Sequence, residues 1–101
     1  MKPVSKLLLL CLALGLLSVS YADFRDGLDA YNTGDYKAAY KEWQPLAKQG
    51  DADAQYNLGR LYENDLGVDL DFSAAAKWYT LSAKQWNAKA QHSLGALYSI
   101  G

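Results

Sequence analysis

The chain repeats itself with an offset of 36 residues, and this internal repeat constrains its fold more than any other feature. Residues 35–65 align with residues 71–101 without a gap, and 14 of the 31 aligned positions hold the same amino acid. Repeats of this length are typical of solenoids, in which each unit packs mainly against its neighbours. A chain of 101 residues has room for one such domain.

Each unit predicts two amphipathic helices, because its apolar residues recur at helical spacing. The first helix of each unit carries the stripe Ala54, Leu58, Leu61 and Tyr62, repeated as Ala90, Leu94, Leu97 and Tyr98. The second carries Phe72, Ala75, Ala76, Tyr79 and Ala83, matched by Tyr36, Ala39, Tyr40, Trp43 and Ala47. Small alanines beside large aromatics allow neighbouring helices to approach closely. We therefore expect an all-α fold of antiparallel helix hairpins.

Residues between these stripes have the chemistry of helix boundaries. Asp35 and Asp71 each stand just before a stripe, where an aspartate side chain can accept a hydrogen bond from the first turn of a helix. Gly50 and Asp51 are predicted to separate the next two helices. A further short helix is predicted before the matched units, from Phe24 to Tyr31.

The first 22 residues have the pattern of a secretory signal peptide. Lys2 and Lys6 precede an apolar stretch, Leu7–Leu17, and the small residues Ser20 and Ala22 follow it at the positions that a signal peptidase reads. The apolar run ends at Val19 and is shorter than the 20 or so residues that a membrane span needs. We expect a periplasmic or secreted protein that has no membrane segment after cleavage, with residues 23–101 as its domain.

The composition that remains after cleavage excludes several classes of partner and chemistry. Of the ten basic residues, eight remain against eleven acidic ones, so the domain has no electrostatic reason to bind nucleic acid. The one cysteine, Cys11, leaves with the signal peptide. His92 is the only histidine and has no cysteine beside it to share a metal. The sequence therefore predicts no catalytic residues, no metal and no cofactor.

The repeat resembles a known family, the Sel1-like repeat, which is related to the tetratricopeptide repeat. The resemblance rests on residues 52–62, on Gly67 and Val68, and on the segment from Asp71 to Tyr79. It covers one full unit at residues 52–87, the beginning of a further, partial unit at residues 88–101, and a divergent tetratricopeptide-like hairpin at residues 24–50. Asp65 and Trp86 depart from it, since each stands where the family usually has glycine.

The resemblance implies an α/α solenoid whose usual role is that of a scaffold or adaptor for other proteins. Some cysteine-rich secreted relatives are reported to bind or hydrolyse β-lactams, which offers an enzyme-like alternative. The lack of cysteine in residues 23–101 makes that analogy weak.

In such a solenoid the first helix of each pair lines the concave side, where a protein or peptide partner would bind. The exposed positions there are found by counting about 100° per residue away from the core stripe. For the helix predicted from Phe24 to Tyr31, the count assumes that Tyr31 is the equivalent of Tyr62. The predicted partner-binding residues are Arg25, Asp29, Tyr56, Arg60, Glu63 and His92.

The last unit stops after its first helix, which leaves the apolar residues Leu94, Leu97 and Tyr98 partly uncovered in the predicted fold. Repeat stacks need a cap at each end to cover such a face. Two interpretations stay open. The chain self-associates through this end, or it is a truncated piece of a longer repeat array.

Overall fold

The computed structural model describes the backbone of residues 24–100 and the side chains of residues 24–99. The predicted signal peptide, residues 1–22, lies outside these described residues, which form helices and no strand. In chain order the helices are α1 (residues 24–32), α2 (Tyr36–Lys48), α3 (Ala52–Glu63), α4 (Phe72–Ala83) and α5 (Ala88–Ile100). The all-α prediction is confirmed for this part of the chain.

The four helices from α2 onward begin in the same way. An aspartate or asparagine precedes each one, and its side-chain oxygen accepts a hydrogen bond from the backbone N–H three residues later. The N···O distances are 3.2 Å for Asp35, 2.9 Å for Asp51, 3.0 Å for Asp71 and 2.9 Å for Asn87. A cap of this kind stabilises a helix by about 1 kcal/mol. The caps recur at the offset of the sequence repeat, so the repeat fixes where each helix begins.

Helices α3 and α4 lie side by side and run in opposite directions. At the start of α4, the N–H of Asp71 donates to the carbonyl of Tyr62 near the end of α3, at 3.1 Å. Near the end of α4, the hydroxyl of Ser82 donates to the carbonyl of Ala52 at the start of α3, at 2.7 Å. The other face of α3 packs against α2, and α4 packs in turn against α5. This is the antiparallel arrangement that the sequence predicts for α3 and α4.

The buried side chains form two clusters, and each contains one large aromatic residue and at least two alanines. The first cluster lies between α2 and α3 and consists of Ala39, Trp43, Leu46, Ala47, Ala54, Leu58 and Leu61. The second joins α4 to α5 and consists of Ala75, Tyr79 and Ala90. In each cluster one large aromatic residue is surrounded by alanines, as the alternating stripe predicts. Trp43 and Tyr79 occupy equivalent positions of the repeat.

Each of these two aromatic rings lies directly against a glycine of the preceding helix. The ring of Trp43 covers Gly27 of α1, and the ring of Tyr79 covers Gly59 of α3. A Cβ atom on either glycine would overlap ring atoms, so only glycine permits this approach. Glycine inside a helix costs about 1 kcal/mol relative to alanine. The free energy gained by burying a large aromatic ring is greater than that cost.

Asp65 and Trp86, which depart from the family pattern, both have a left-handed backbone conformation. Their φ angles are 57° and 66°. Glycine adopts this conformation without steric cost, whereas other residues pay about 1–2 kcal/mol. Asp65 gains a compensating hydrogen bond, because its carboxylate accepts from the N–H of Leu70 at 3.1 Å. The side chain of Trp86 is 86% exposed. Its equivalent in the first unit is Gly50, which also has positive φ.

Replacing Gly59 by alanine will lower the free energy of unfolding by about 1–3 kcal/mol, because the added methyl group displaces the ring of Tyr79. The matched control is Gly95→Ala. Its Cβ would point into open space, so alanine will raise the free energy of unfolding by up to about 1 kcal/mol. Urea denaturation followed by circular dichroism measures both. Equal effects at the two positions would contradict this packing.

Trp86→Gly will raise the free energy of unfolding by about 1 kcal/mol. Glycine adopts the left-handed conformation without steric strain, and the exposed Trp86 side chain contributes little packing that would be lost. The reverse change, Gly50→Ala, tests the same cost in the other unit. A Cβ there meets no atom within 4 Å, so the loss in stability comes from the backbone alone. Thermal denaturation of both variants should give shifts of opposite sign, and a destabilised Trp86→Gly would refute this reading.

Candidate binding surface

Arg60 connects the first helices of two successive hairpins. Its guanidinium carbon lies 5.4 Å from the ring centre of Tyr31 on α1 and 5.9 Å from that of Tyr56 on α3. Its Nη2 atom donates a hydrogen bond to the Tyr31 hydroxyl at 3.0 Å. A cation over an aromatic ring contributes about 0.5–2 kcal/mol, depending on how far it is desolvated. Since Arg60 is half-buried, it both stabilises the α1–α3 contact and reaches the surface.

Tyr56 belongs partly to the core and partly to the surface. Its ring packs against Tyr79, with the ring centres 5.8 Å apart and the planes inclined at 37°. Such tilted pairs contribute about 0.5–1.5 kcal/mol beyond the area that they bury. A partner could therefore contact only the exposed part of the Tyr56 ring, and Tyr56→Ala would disturb the core as well as the surface.

Glu63 is also engaged within the chain. The hydroxyl of the buried Tyr79 donates to Glu63 Oε1 at 2.6 Å. Burial raises the pKa of Tyr79 well above its ordinary value of about 10, and the nearby Glu63 carboxylate raises it further. Glu63 therefore holds the ring that covers Gly59, a role that the position count does not predict.

A second hydroxyl network lies between α2 and α3. The hydroxyl groups of Tyr40 and Tyr62 are 3.1 Å apart, and Gln44 Nε2 donates to the Tyr40 hydroxyl at 3.0 Å. Burial, together with the bond to Tyr40, raises the pKa of Tyr62 to about 12. In the sequence both tyrosines belong to apolar stripes, which do not predict this network, because a stripe indicates burial and carries no information about hydroxyl partners.

The contacts correct the register used for α1. The predicted register aligns Tyr31 with Tyr62, whereas the ring contacts align Gly27 with Gly59. Tyr31 then corresponds to Glu63, and each contacts the large aromatic residue of the following helix. The aromatic identity of Tyr31 misled the alignment.

In the corrected register, the places of Tyr56 and Arg60 are taken on α1 by Phe24 and Leu28. Arg25 and Asp29 follow them by one residue and are exposed. Their role in partner binding stays a prediction.

The predicted site residues thus fall into two groups. Tyr56, Arg60 and Glu63 are half-buried on α3 and are linked through Tyr31 and Tyr79. The other group is exposed and lies on other helices, with Arg25 and Asp29 on α1 and His92 on α5. The contact between Arg60 and Tyr31 was not predicted from the sequence.

Two kinds of feature are absent from residues 24–100, the part of the chain that the structure describes. These residues contain no cluster of three or more histidine, cysteine, aspartate or glutamate side chains that could hold a metal ion. Within the same stretch, every helix is too short or too polar to cross a lipid bilayer.

Comparison with known proteins agrees with the repeat geometry. Residues 52–85 match the family model described as Sel1 repeat, and they contain α3, α4 and the loop between them. The resemblance to the Sel1 repeat is therefore confirmed for residues 52–85. No curated protein matches the chain.

The two tyrosines with raised pKa predict a loss of stability at high pH. Below about pH 10, both hydroxyls are protonated in the folded and the unfolded chain. Above it, the unfolded chain releases these protons first, so the free energy of unfolding falls as the pH rises. For Tyr62 this fall extends to about pH 12.

Tyr62→Phe and Tyr79→Phe remove the titrating groups, so each will flatten this slope even if it lowers stability at pH 8. The measurement is the free energy of unfolding in urea at several pH values from 8 to about 12, with the range below pH 10 as the internal control. An unchanged slope in both variants would contradict the assignment.

Proposed function

We propose that this Sel1-repeat protein is an exported interaction module that binds a peptide or protein segment across α1, α3 and α5. The Sel1 repeat supports this proposal, because repeats of this family generally mediate contacts between proteins. The pattern of residues 1–22 supports export to the periplasm or the outside of the cell. We further propose that the hairpins stack as a solenoid, so that the first helices share one face.

The arrangement around Arg60 carries the proposal. A guanidinium has five N–H donors in a rigid planar fork. One hydrogen bond, to Tyr31, is seen among the described residues. The remaining donors suit a carboxylate or a backbone carbonyl of a partner, and a carboxylate fits the fork best. We therefore propose a partner segment that presents a carboxylate to Arg60.

The aromatic rings on both sides of Arg60 favour binding for two reasons. Tyr31 and Tyr56 restrict the guanidinium, so less side-chain entropy is lost when a partner arrives. Tyrosine and arginine also contribute more to binding energy in interfaces than most other residues. The exposed residues Arg25, Asp29 and His92 would then contribute to selectivity at the edges of the contact, while Glu63 repels a second carboxylate.

Arg60→Lys tests this proposal while keeping the net charge. Lysine retains a positive charge but lacks the fork, so we expect partner capture to fall about tenfold, which corresponds to about 1.4 kcal/mol. The purified protein, immobilised after export, is exposed to the extracellular or periplasmic fraction of its own cells. Captured proteins are then quantified by mass spectrometry.

The predicted export signal has its own test. N-terminal sequencing of the exported chain should show that it begins at Asp23.

The matched control is Lys37→Arg, a change that also keeps the charge and lies at an exposed position of α2. It should capture the same proteins in the same amounts as the original chain. Circular dichroism must show that Arg60→Lys stays folded. If every protein captured by the original chain is captured equally by Arg60→Lys, Arg60 is not the binding residue and the proposal fails.

A further inference from the structure

The second helix of each hairpin carries a stripe of exposed residues, which we call the outer stripe. Its positions follow one another at intervals of four, four and three residues, so they lie on one face of the helix. Every residue at these positions is exposed. On α2 they are Lys37, Lys41, Pro45 and Lys48, and on α4 and its C-cap they are Ser73, Lys77, Leu81 and Lys84.

The outer stripe is basic although the domain as a whole is acidic. Five of the eight basic residues within residues 23–101 belong to it, and all five are lysines. Helix α4 contains no acidic residue, and α2 contains only the half-buried Glu42. The acids that follow Lys48 most closely, Asp51 and Asp53, accept hydrogen bonds from within the chain. Since charges more than about 8 Å apart are largely screened at physiological salt, acids elsewhere in the chain cancel little of this local charge.

The two halves of the outer stripe lie side by side. Trp78 on α4 packs against the first buried cluster, which lies between α2 and α3. Beyond the ends of α2 and α4, the Nε2 atom of Gln85 donates to the carbonyl of Gly50 at 2.8 Å. Gln85 follows Lys84 directly, and Gly50 follows Lys48 by two residues. The two lysines therefore lie at the same end of one shared surface.

Trp86 lies at this end of the surface and supplies an exposed aromatic ring. Its side chain is 86% exposed, and its left-handed backbone conformation has a steric cost that glycine avoids. The caps Asp35 and Asp71 stand at the opposite ends of α2 and α4. The packing of residues 24–99 does not compensate the strain at Trp86. Strained residues that persist in a fold are concentrated at functional sites, which favours a binding role for this ring.

The exposure of this surface does not depend on whether further units of the repeat follow. The stripe of α2 stays exposed although α4 lies beside it. Gly50 is the equivalent of Trp86, and a Cβ atom there meets no atom within 4 Å, although Gln85 is bonded to its carbonyl. A further helix packed beside α4 in the same way would therefore leave the stripe of α4 and Trp86 exposed.

The residue types of this surface fit a lipid bilayer better than a protein partner. Interfaces between proteins are enriched in arginine and depleted in lysine, whereas every basic residue here is lysine. A lysine ammonium is a compact charge on a flexible stem, so it reaches phosphate groups at variable positions. Tryptophan is enriched at the level of the lipid headgroups, where its ring meets an apolar environment and its N–H a polar one.

We propose that the outer stripe and Trp86 form a peripheral binding surface for an anionic phospholipid bilayer. The lysines lie at the lipid phosphates, while the Trp86 ring and the Leu81 side chain enter the headgroup region. Arg60 lies on α3 and is not part of this surface. The two proposals can therefore fail separately.

Co-sedimentation with vesicles tests this proposal on the protein purified after export. Vesicles of phosphatidylglycerol and phosphatidylcholine supply the anionic surface, and vesicles of phosphatidylcholine alone are the neutral control. We expect binding to the anionic vesicles that weakens as the salt concentration rises, because salt screens the lysines. Equal binding to both kinds of vesicle, which the apolar residues 7–17 would produce if they were retained, would overturn the proposal. Failure to bind either kind would overturn it too.

Lys41→Gln and Lys77→Gln remove equivalent lysines from the two helices. Each should lower the affinity for anionic vesicles about fivefold, which corresponds to about 1 kcal/mol per lysine. The matched control is Ala96→Glu, which changes the net charge by the same amount at an exposed position of α5 outside the stripe. It should bind nearly as well as the original chain. Equal losses in all three variants would show that only the net charge matters, and the proposed surface would be wrong.

Trp86→Gly removes the ring and relieves the backbone strain, so the variant stays folded. We expect its affinity for anionic vesicles to fall about tenfold. The tryptophan fluorescence of the original chain should shift to shorter wavelength on binding. That of Trp86→Gly should not shift, because Trp43 is buried and Trp78 is half-buried before vesicles are added. Equal affinity of the two chains, or equal spectral shifts, would refute the insertion of Trp86.

An acidic polypeptide is the other class of partner for a basic surface. Labelled poly-glutamate, titrated with the protein at the same salt concentration and without vesicles, examines it. We expect no saturable binding that depends on Trp86. Saturable binding that both Lys41→Gln and Trp86→Gly weaken, by a chain that does not bind anionic vesicles, would overturn the proposal in favour of an acidic polypeptide.

Discussion

In both complete hairpins a large aromatic ring lies directly on a helical glycine, and the rest of the structure depends on that contact. Trp43 on Gly27 and Tyr79 on Gly59 bring each second helix close to the first. That close approach places Ser82 within hydrogen-bonding distance of the Ala52 carbonyl and Tyr79 within reach of Glu63. A domain with so small a core has a low free energy of unfolding. The burial of these two rings therefore contributes a large part of it.

The helices, their boundaries and their pairing could be predicted from the sequence because local chemistry determines them. Asp35, Asp51 and Asp71 each precede an apolar stripe, and each caps the helix that carries that stripe. Periodicity identified the buried face of α3 because every third or fourth residue must point to the same side. The 36-residue offset then predicted that the second unit repeats the first. The Sel1-repeat match at residues 52–85 covers α3, α4 and the capping residue Asp71.

The side-chain partners of the candidate site could not be predicted in the same way. A helical position count assigns Arg60 to the surface, but its contact with Tyr31 depends on how two hairpins are stacked. Glu63 was assigned to partner binding, yet it accepts a hydrogen bond from Tyr79, which lies 16 positions away. The register of α1 was misjudged by one residue because two tyrosines were matched. Aligning Gly27 with Gly59, as the glycine that an aromatic ring covers, would have given the right register.

The packing of aromatic rings on helical glycines can be tested without altering the protein. If the rings lie over the glycines, ring currents will displace the Hα resonances of Gly27 and Gly59 from ordinary helical values, and Gly95 will keep such values. Nuclear Overhauser contacts should join the Tyr79 ring protons to Gly59 Hα. A spectrum in which all three glycines have ordinary helical shifts, with no contact between Tyr79 and Gly59, would contradict the account.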